Sequence, residues 1–490
     1  MHVLLINPST PAYMPNKEFM FSTALLSLAA VLQQAGFTVE LLDLNTYKPW
    51  ALPPAAAEAT IAAAISGRIR ESRPSLIGIG CLFSGQFPGV LRDAHTCKQA
   101  DPSIPVVVGG MHPTTFPREI LVNCPAIDYV VIGEGERQIV AIARWVQHRR
   151  ADLAQVDGIA WRDAAGEVVV NEKKTYIDDL DSLPLPAYEL MRFSDYDHDT
   201  THWHNPRRHS FSMTVPLVSS RSCPMRCNFC SMFLVMGPRI RFRSPVHLVD
   251  EIEHLYREYG QRHFSFMDDN VNLKKRHILS ICDEILRRGL EIQFETPNGL
   301  MTNALDREVM DGMIAAGWIR GAIAIESGSD HIRNTIMGKR LSREKIFEVI
   351  ALARSYPRLY FKAYFIIGMP EDTRDTLQQT YDMIREIEID DPYVTNLIPF
   401  PGTRVFEQAR RDNLFVEDFD FQNLWRMDGF HYHDNKRFYI RPYQLRLEEL
   451  QEFRRAFDRL LLENRAARRR ERAAALEARC SPPAAFADLG

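Results

Sequence analysis

The chain reads as an α/β protein made of two successive strand–helix units and a helical tail. Three observations predict this. Over the first 150 residues five short apolar runs alternate with amphipathic stretches, the pattern of a parallel sheet covered by helices on both faces. From Val215 onward strand-like runs recur six times, again with helical stretches between them. Between the two units lies a proline-marked break, Leu183-Pro-Leu-Pro-Ala187.

In the first unit, residues 1–150, His2–Asn7 is the first strand and Ser22–Ala35 a helix stopped by Gly36. Thr38–Asp43 is the second strand, and the alanine-rich Ala55–Ser72 the next helix. Leu76–Gly80, Val106–Gly109 and Tyr129–Ile132 complete the strands, with helices at Gln86–Ala100 and Glu136–Gln147. This is a doubly wound sheet, in which ligands sit beyond the carboxyl ends of the strands. Those ends carry Gly109, Gly110, Gly133 and Gly135, which let backbone approach a ligand closely, although ordinary turns use the same residue.

Residues 151–212 are expected to hold a hairpin, Val156–Asn171, and then a linker or strap. His202-Trp203-His204 lies in that strap without an acid or cysteine to complete a metal set. The second unit, residues 213–405, has strands at Val215–Arg221, His263–Met267, Glu291–Thr296, Gly321–Glu326, Tyr360–Ile367 and Tyr393–Pro399. Residues 406–480 are mostly helical, with Gln451–Glu477 the main helix. Their aromatic stretch Phe419–Ile440 suits either a pocket wall or packing between tail and barrel. A disordered tail is expected over 481–490.

Composition narrows the function. With 46% hydrophobic residues, 25% charged and a net charge of −4, the chain gives no reason to expect nucleic acid as a partner. No apolar run is long enough for a membrane span, and no signal peptide opens the chain, so a cytoplasmic protein is expected.

The most informative local feature is Cys223, Cys227 and Cys230, three cysteines within eight residues. Four-iron clusters are normally held by four cysteines, and no fourth lies nearby; the nearest are Cys124 and Cys282. Three thiolates on a cube leave one iron open, and an open metal position usually receives substrate or cofactor. A helical face of buried cysteines conflicts with Pro224, and a zinc site would lack its last ligand.

The spacing Cys-x3-Cys-x2-Cys, with Phe229 before the last cysteine, resembles the radical S-adenosylmethionine (SAM) superfamily. The resemblance implies a [4Fe-4S] cluster on Cys223, Cys227 and Cys230, with SAM chelating the open iron and yielding a 5′-deoxyadenosyl radical. It implies a partial (β/α)6 barrel open on one side to admit substrate. It further implies SAM contacts from the acids Asp268 and Asp269 after the second strand, from Glu326 and Ser327 after the fourth, and from the Gly368 turn after the fifth. An external electron donor, flavodoxin- or ferredoxin-like, goes with such chemistry.

Gly109-Gly110-Met111-His112 and Gly133-Glu134-Gly135-Glu136, taken together, resemble the Rossmann-like cobalamin-binding domain of one large subfamily. The Asp-x-His-x-x-Gly motif that supplies an axial histidine is absent, leaving His112 either as a substitute ligand or as a hydrogen-bonded loop residue. The resemblance therefore implies a cobalamin-dependent enzyme, a methyltransferase acting on a weakly activated carbon of a small molecule. Oxidative cyclisation or rearrangement is the alternative within the same family.

Overall fold

The computed structural model describes residues 1–10, 21–82, 84–148, 152–196, 213–426 and 437–480, with side chains in the last helix to residue 466. In the first sheet β1 (His2–Asn7), β2 (Thr38–Asp43), β3 (Leu76–Cys81), β4 (Val106–Gly110) and β5 (Tyr129–Val131) run parallel in the order β2-β1-β3-β4-β5. Alternate residues of one strand enter different cores, as the two-residue period of a strand requires. Val3, Leu5, Val107 and Val131 pack with Leu25, Ala29 and Ile139 of helices Thr23–Gln34 and Glu136–His148. Leu4, Ile6, Val106 and Val108 pack with Ile65 and Val90 of helices Pro54–Ser72 and Phe87–Ala100.

The expected hairpin exists, but not as part of a linker. β6 (Ile159–Arg162) pairs antiparallel with β5, and β7 (Val168–Asn171) with β6, so the first sheet has seven strands and extends past residue 150. Arg162 fixes this edge by donating to the carbonyls of Ile127 and Cys124, both at 2.8 Å.

The second unit contains β8 (Val215–Leu217), a small antiparallel pair β9 (Ser220–Arg221) and β10 (Arg241–Phe242), then β11 (His263–Phe266), β12 (Gln293–Leu300), β13 (Trp318–Glu326), β14 (Tyr360–Ile367) and β15 (Asp391–Asn396). Six of them form one parallel sheet in the order β15-β14-β13-β12-β11-β8. Its edges β8 and β15 do not pair with each other, so the sheet stays open. Four expected strands differ: Gly321–Glu326 starts earlier, at Trp318, and Tyr393–Pro399 is shifted to Asp391–Asn396. Val215–Arg221 breaks after Leu217, because Ser219 and Ser220 turn to bond Asp268. The third strand begins at Gln293, not Glu291, and runs on to Leu300 through register shifts against β13.

Helices Pro245–Glu258, Lys275–Arg287, Arg307–Ala315, Arg343–Arg354 and Arg374–Glu386 cover one face of this sheet. The long tail helix, Leu447–Cys480, joins the same core through Leu450, Phe457 and Leu460. In and just ahead of the described part of the aromatic stretch, Phe415, Phe419 and Phe421 stack on one another with centroids 4.2–4.9 Å apart. Phe415 and Phe421 also line a pocket with Phe116, Phe406 and Trp425, so these rings both pack together and form a pocket wall. His202-Trp203-His204 and 481–490 lie outside the described residues. Among the described residues no helix is long and apolar enough to cross a membrane.

Candidate active site

The site is built where β8 ends. Asp268, wholly buried after β11, accepts from Ser219 N at 3.1 Å and from the hydroxyls of Ser219 and Ser220 at 2.6 and 2.5 Å. These bonds stop β8 and swing the chain into the cysteine loop. Ser222 takes a left-handed φ of 74° and donates to the Gly237 carbonyl at 2.5 Å, closing the loop at its start. At its far end Val405 N donates to the Asn228 carbonyl at 3.1 Å. Cys223, Cys227 and Cys230 therefore lie in turns ahead of helix Met232–Met236, not along a helical face.

These three thiols are half-buried and free, whereas Cys81, Cys97, Cys124 and Cys282 are wholly buried. Burial pushes the Cys230 thiol up to about 11 and raises Cys223 and Cys227 in the same direction. Among the described residues no three side chains converge on a single metal ion. A cube does not require convergence, since each cysteine binds a different iron. Three clustered soft donors without disulfide partners fit such a cluster and not mononuclear zinc.

Asn270 hydrogen-bonds Cys223 through its side chain, which counters part of the burial effect on that thiol. Burial and the neighbouring Asp268 push the Asp269 carboxyl up to about 6, against a hydrogen bond from Ser222 backbone. Glu326 ends β13 with a left-handed φ of 69°, at a register shift against β14. Such a conformation costs a non-glycine residue about 1–3 kcal/mol and marks a constrained site. Its carboxylate meets Lys339 Nζ at 3.2 Å. Burial alone would lower the Lys339 pKa; Glu326 and the thiols of Cys227 and Cys223 raise it instead. Lys339 is thus the cation beside the cysteines, and nothing in the local pattern announced it. It is placed by Arg333, wholly buried, which donates to the carbonyls of Ser327 and Leu341 at 2.7 Å.

The structure thus brings the three cysteines, Asp269 and Glu326 into one electrostatic neighbourhood. It turns other expected residues inward. Asp268 holds Ser219 and Ser220. The Ser327 hydroxyl lies 3.2 Å from the Thr380 hydroxyl and accepts from Ser329 N at 3.1 Å. Gly368, at φ 94°, is fitted beneath Phe438, whose ring would lie 3.1 Å from an added Cβ.

In the first sheet, an added Cβ at Gly110 would lie 2.1 Å from the Cys81 carbonyl oxygen, at Gly109 3.4 Å from Val131 Cβ, and at Gly135 3.3 Å from Leu28. Packing against backbone therefore explains Gly110, at φ 119°, whereas Gly109 would meet ordinary contact and Gly135 only the end of the Leu28 side chain. Gly133 differs, because a Cβ there would reach the Val235 carbonyl oxygen at 3.0 Å, in the helix that follows the cysteine loop. His112 is buried between Phe87 and Phe116, with ring centroids at 4.3 and 5.0 Å, and its Nε2 lies 2.6 Å from the Trp425 carbonyl. That nitrogen is occupied, and burial lowers the imidazole pKa to about 4. The other ring nitrogen, Nδ1, is buried without a hydrogen-bond partner.

Arg221 flanks the cysteine loop, as Arg226 does, and from sequence a guanidinium there would raise the reduction potential of an anionic cluster. The structure gives Arg221 another task. Arg221 donates to Glu134 at 2.9 Å and to Glu136 at 2.6 Å, and Arg241 donates to the same Glu134 oxygen at 2.7 Å. Glu134 also accepts from Ile177 N at 2.9 Å. This buried array ties the turn after β5 to the β9–β10 pair that frames the cysteine loop.

A doubly wound domain locked in this way to a three-cysteine loop on an open parallel sheet defines a radical SAM enzyme. Comparison specifies the branch: the profile of the B12 binding domain matches residues 17–143 and that of the radical SAM superfamily residues 217–384. The chain thus places a B12 binding domain ahead of a radical SAM domain. It is 29% identical over 352 residues to an uncharacterized methyltransferase of Pyrococcus horikoshii, covering 71% of this chain and 72% of that protein. It is 27% identical over 463 residues to cytidylyl-2-hydroxyethylphosphonate methyltransferase of Streptomyces wedmorensis, covering 87% and 84%. It is 26% identical over 359 residues to an anaerobic magnesium-protoporphyrin IX monomethyl ester cyclase of Rubrivivax gelatinosus, covering 73% and 62%. The solved structure of the radical SAM methyltransferase TsrM from Kitasatospora setae superposes with a TM-score of 0.66 at 20% identity, over 84% of this chain and 76% of that one.

Proposed function

We propose that the protein is a cobalamin-dependent radical SAM methyltransferase acting on a weakly activated carbon of a small molecule. When bound, the cluster, SAM and cobalamin supply reductive cleavage of the sulfonium and a methyl group for a carbon radical. The chain's own residues do the rest. Cys223, Cys227 and Cys230 hold the cluster. Asp269 and Glu326 offer carboxylates to the ammonium and ribose hydroxyls of SAM, charge-assisted bonds that fix its orientation. Asp268, Ser327 and Gly368 act as positioning residues for the turns that carry those contacts. Lys339 compensates Glu326 and the anionic cluster. A flavodoxin- or ferredoxin-like protein delivers the electron from outside.

The observation that carries this reading is the Glu134–Arg221–Arg241 array. Methyl transfer demands that a radical site and a methyl donor keep a fixed separation, and misplacement by about 1 Å costs roughly a hundredfold in rate. A buried double ion pair between the turn after β5 and the frame of the cysteine loop sets that separation. The named methyltransferases among the relatives support the same reaction type.

The test is anaerobic turnover of the reconstituted protein with methyl-deuterated SAM, a reductant and a metabolite extract. A product carrying the labelled methyl together with 5′-deoxyadenosine is expected. Release of 5′-deoxyadenosine with unlabelled products would overturn methyl transfer in favour of cyclisation or rearrangement.

A further inference from the structure

Along β14 the residues Phe361, Ala363, Phe365 and Ile367 join the helix-covered core, so Tyr360, Lys362 and Tyr364 project from the opposite face of the open sheet. Charges crowd this face near the start of the strands. Arg320 of β13 pairs with Glu295 of β12 at 3.2 Å. Asp391 of β15 accepts from Tyr360 at 3.0 Å on one oxygen and from Arg465 of the tail helix at 3.0 Å on the other. Lys362 stands between these two systems. Its Nζ lies 3.9 Å from Asp391 Oδ2, beyond hydrogen-bond reach, and 5.5 Å from the Tyr360 ring centroid. Among the described residues it makes no hydrogen bond. Three cations thus face two carboxylates, and both carboxylates are engaged by other donors.

An ammonium with three unused donors, its side chain 19% exposed, is costly unless something accepts from it. Next to it, Tyr364 donates to the Pro297 carbonyl at 2.7 Å and meets Tyr393 edge-on, with centroids 6.3 Å apart. Together they form an aromatic wall beside the cation. We propose that Lys362, with Arg320 behind it, is an anion subsite on the inner face of the sheet that receives an oxyanion of the substrate, carboxylate or phosphonate. This deepens the methyltransferase reading and rests on it, since it assumes that substrate enters along this face. Burial first and Arg320 second lower the Lys362 pKa to about 8, against Asp391 and Glu295, with Arg465 also lowering it; a bound anion would favour the charged form.

The experiment titrates the holoenzyme, loaded with cluster, cobalamin and SAM but without reductant, with methylphosphonate or acetate alone. Prior loading fills the anion sites of the cofactors themselves. Whichever probe binds identifies the oxyanion class. Wild type is expected to bind one of them, Lys362→Met about tenfold to a hundredfold more weakly, and Lys362→Arg close to wild type. Affinity should fall as pH rises through about 8, where the free ammonium is lost. Equal binding by wild type and Lys362→Met, with both retaining cofactor spectra, overturns the subsite, as does failure of both probes to bind wild type. Neither result touches the methyl-label assay, so the subsite and the reaction type fail separately.

Discussion

Replacing Glu134 by glutamine tests the domain lock most directly. The Glu134 side chain is 2% exposed and receives Arg221 and Arg241 on one oxygen, with Ile177 N on the other. Glutamine keeps the shape but removes the charge, and its amide must point N–H groups at either a guanidinium or a backbone N–H. Removing one partner of a buried pair costs about 3–5 kcal/mol, because the other charge stays buried. The low end applies here. Arg221 keeps Glu136 at 2.6 Å, and Arg241 keeps the carbonyls of Ile177 at 2.8 Å and Met236 at 2.6 Å.

The chain has several cores, so a single two-state unfolding energy is not defined. The assay is therefore a urea titration followed at two wavelengths, one for bound cobalamin and one for the cluster. In wild type the two signals should fall together. In Glu134→Gln they should separate, the earlier one moving down by about 1 M urea, for a loss of about 3 kcal/mol at roughly 3 kcal/mol per molar. Glu136→Gln should shift less, since a single guanidinium, that of Arg221, and the Ser27 hydroxyl at 3.5 Å bond that side chain and its Oε2 is buried without a partner. Superimposed transitions in Glu134→Gln, displaced by less than about 0.2 M, would refute the lock. Acidity bears on it as well. Burial raises the Glu136 carboxyl, but Arg221 outweighs this and the net shift is below the ordinary 4.5. Its contribution is complete above 4.5 and is lost only as pH falls through the lower folded value, so titration at neutral pH leaves the array intact.

Other substitutions probe separate parts. Asp93, buried in the first domain with Oδ2 unpartnered, has its carboxyl raised to about 7 by burial, so folding is penalised progressively as pH rises from about 4 to 7. Asp93→Asn should raise the melting temperature at pH 8 and leave it unchanged near pH 3; equal effects at both would contradict this. His112→Phe should lower stability through loss of the Trp425 contact, yet leave bound Co(II) cobalamin with the same paramagnetic resonance signal. A change in nitrogen hyperfine structure would restore His112 as an axial ligand. Lys339→Met removes the half-buried cation beside the thiols, and potentiometry should find the cluster potential more negative, since nearby positive charge favours the reduced cluster. An unchanged potential would reduce Lys339 to a structural role.

What could be read in advance follows the range over which each signal acts. The strands of the first sheet announce themselves because both faces are buried, and the apolar runs end within a residue of β1, β2, β3, β4 and β5. The cysteine loop is equally local: spacing and Pro224 identify it without any knowledge of the rest. β12 is harder. Its Pro297 and Gly299 argue against a strand, and only pairing with β13 carries it to Leu300. The glycines are ambiguous for a related reason, since the Cys81 carbonyl of the neighbouring strand by itself already excludes a side chain at Gly110.

Charges show the same division most sharply. Lys362 carries a local trace, since Tyr360, Lys362 and Tyr364 alternate with Phe361, Ala363 and Phe365, and that period places the lysine on the polar face of a strand. Which ions it meets there depends on four other elements. Glu134 and Arg221 are 87 positions apart, and nothing near either one indicates the other. From sequence Arg221 is therefore expected at the cluster beside it, whereas its guanidinium bonds two carboxylates of the other domain. The two lysines contrast with that arginine in a useful way. Lys339 has a carboxylate at 3.2 Å and Lys362 has none within hydrogen-bond reach. A cation bonded to carboxylates holds a structure, whereas one from which no protein group accepts can take a ligand, and this difference is visible only once the chain has folded.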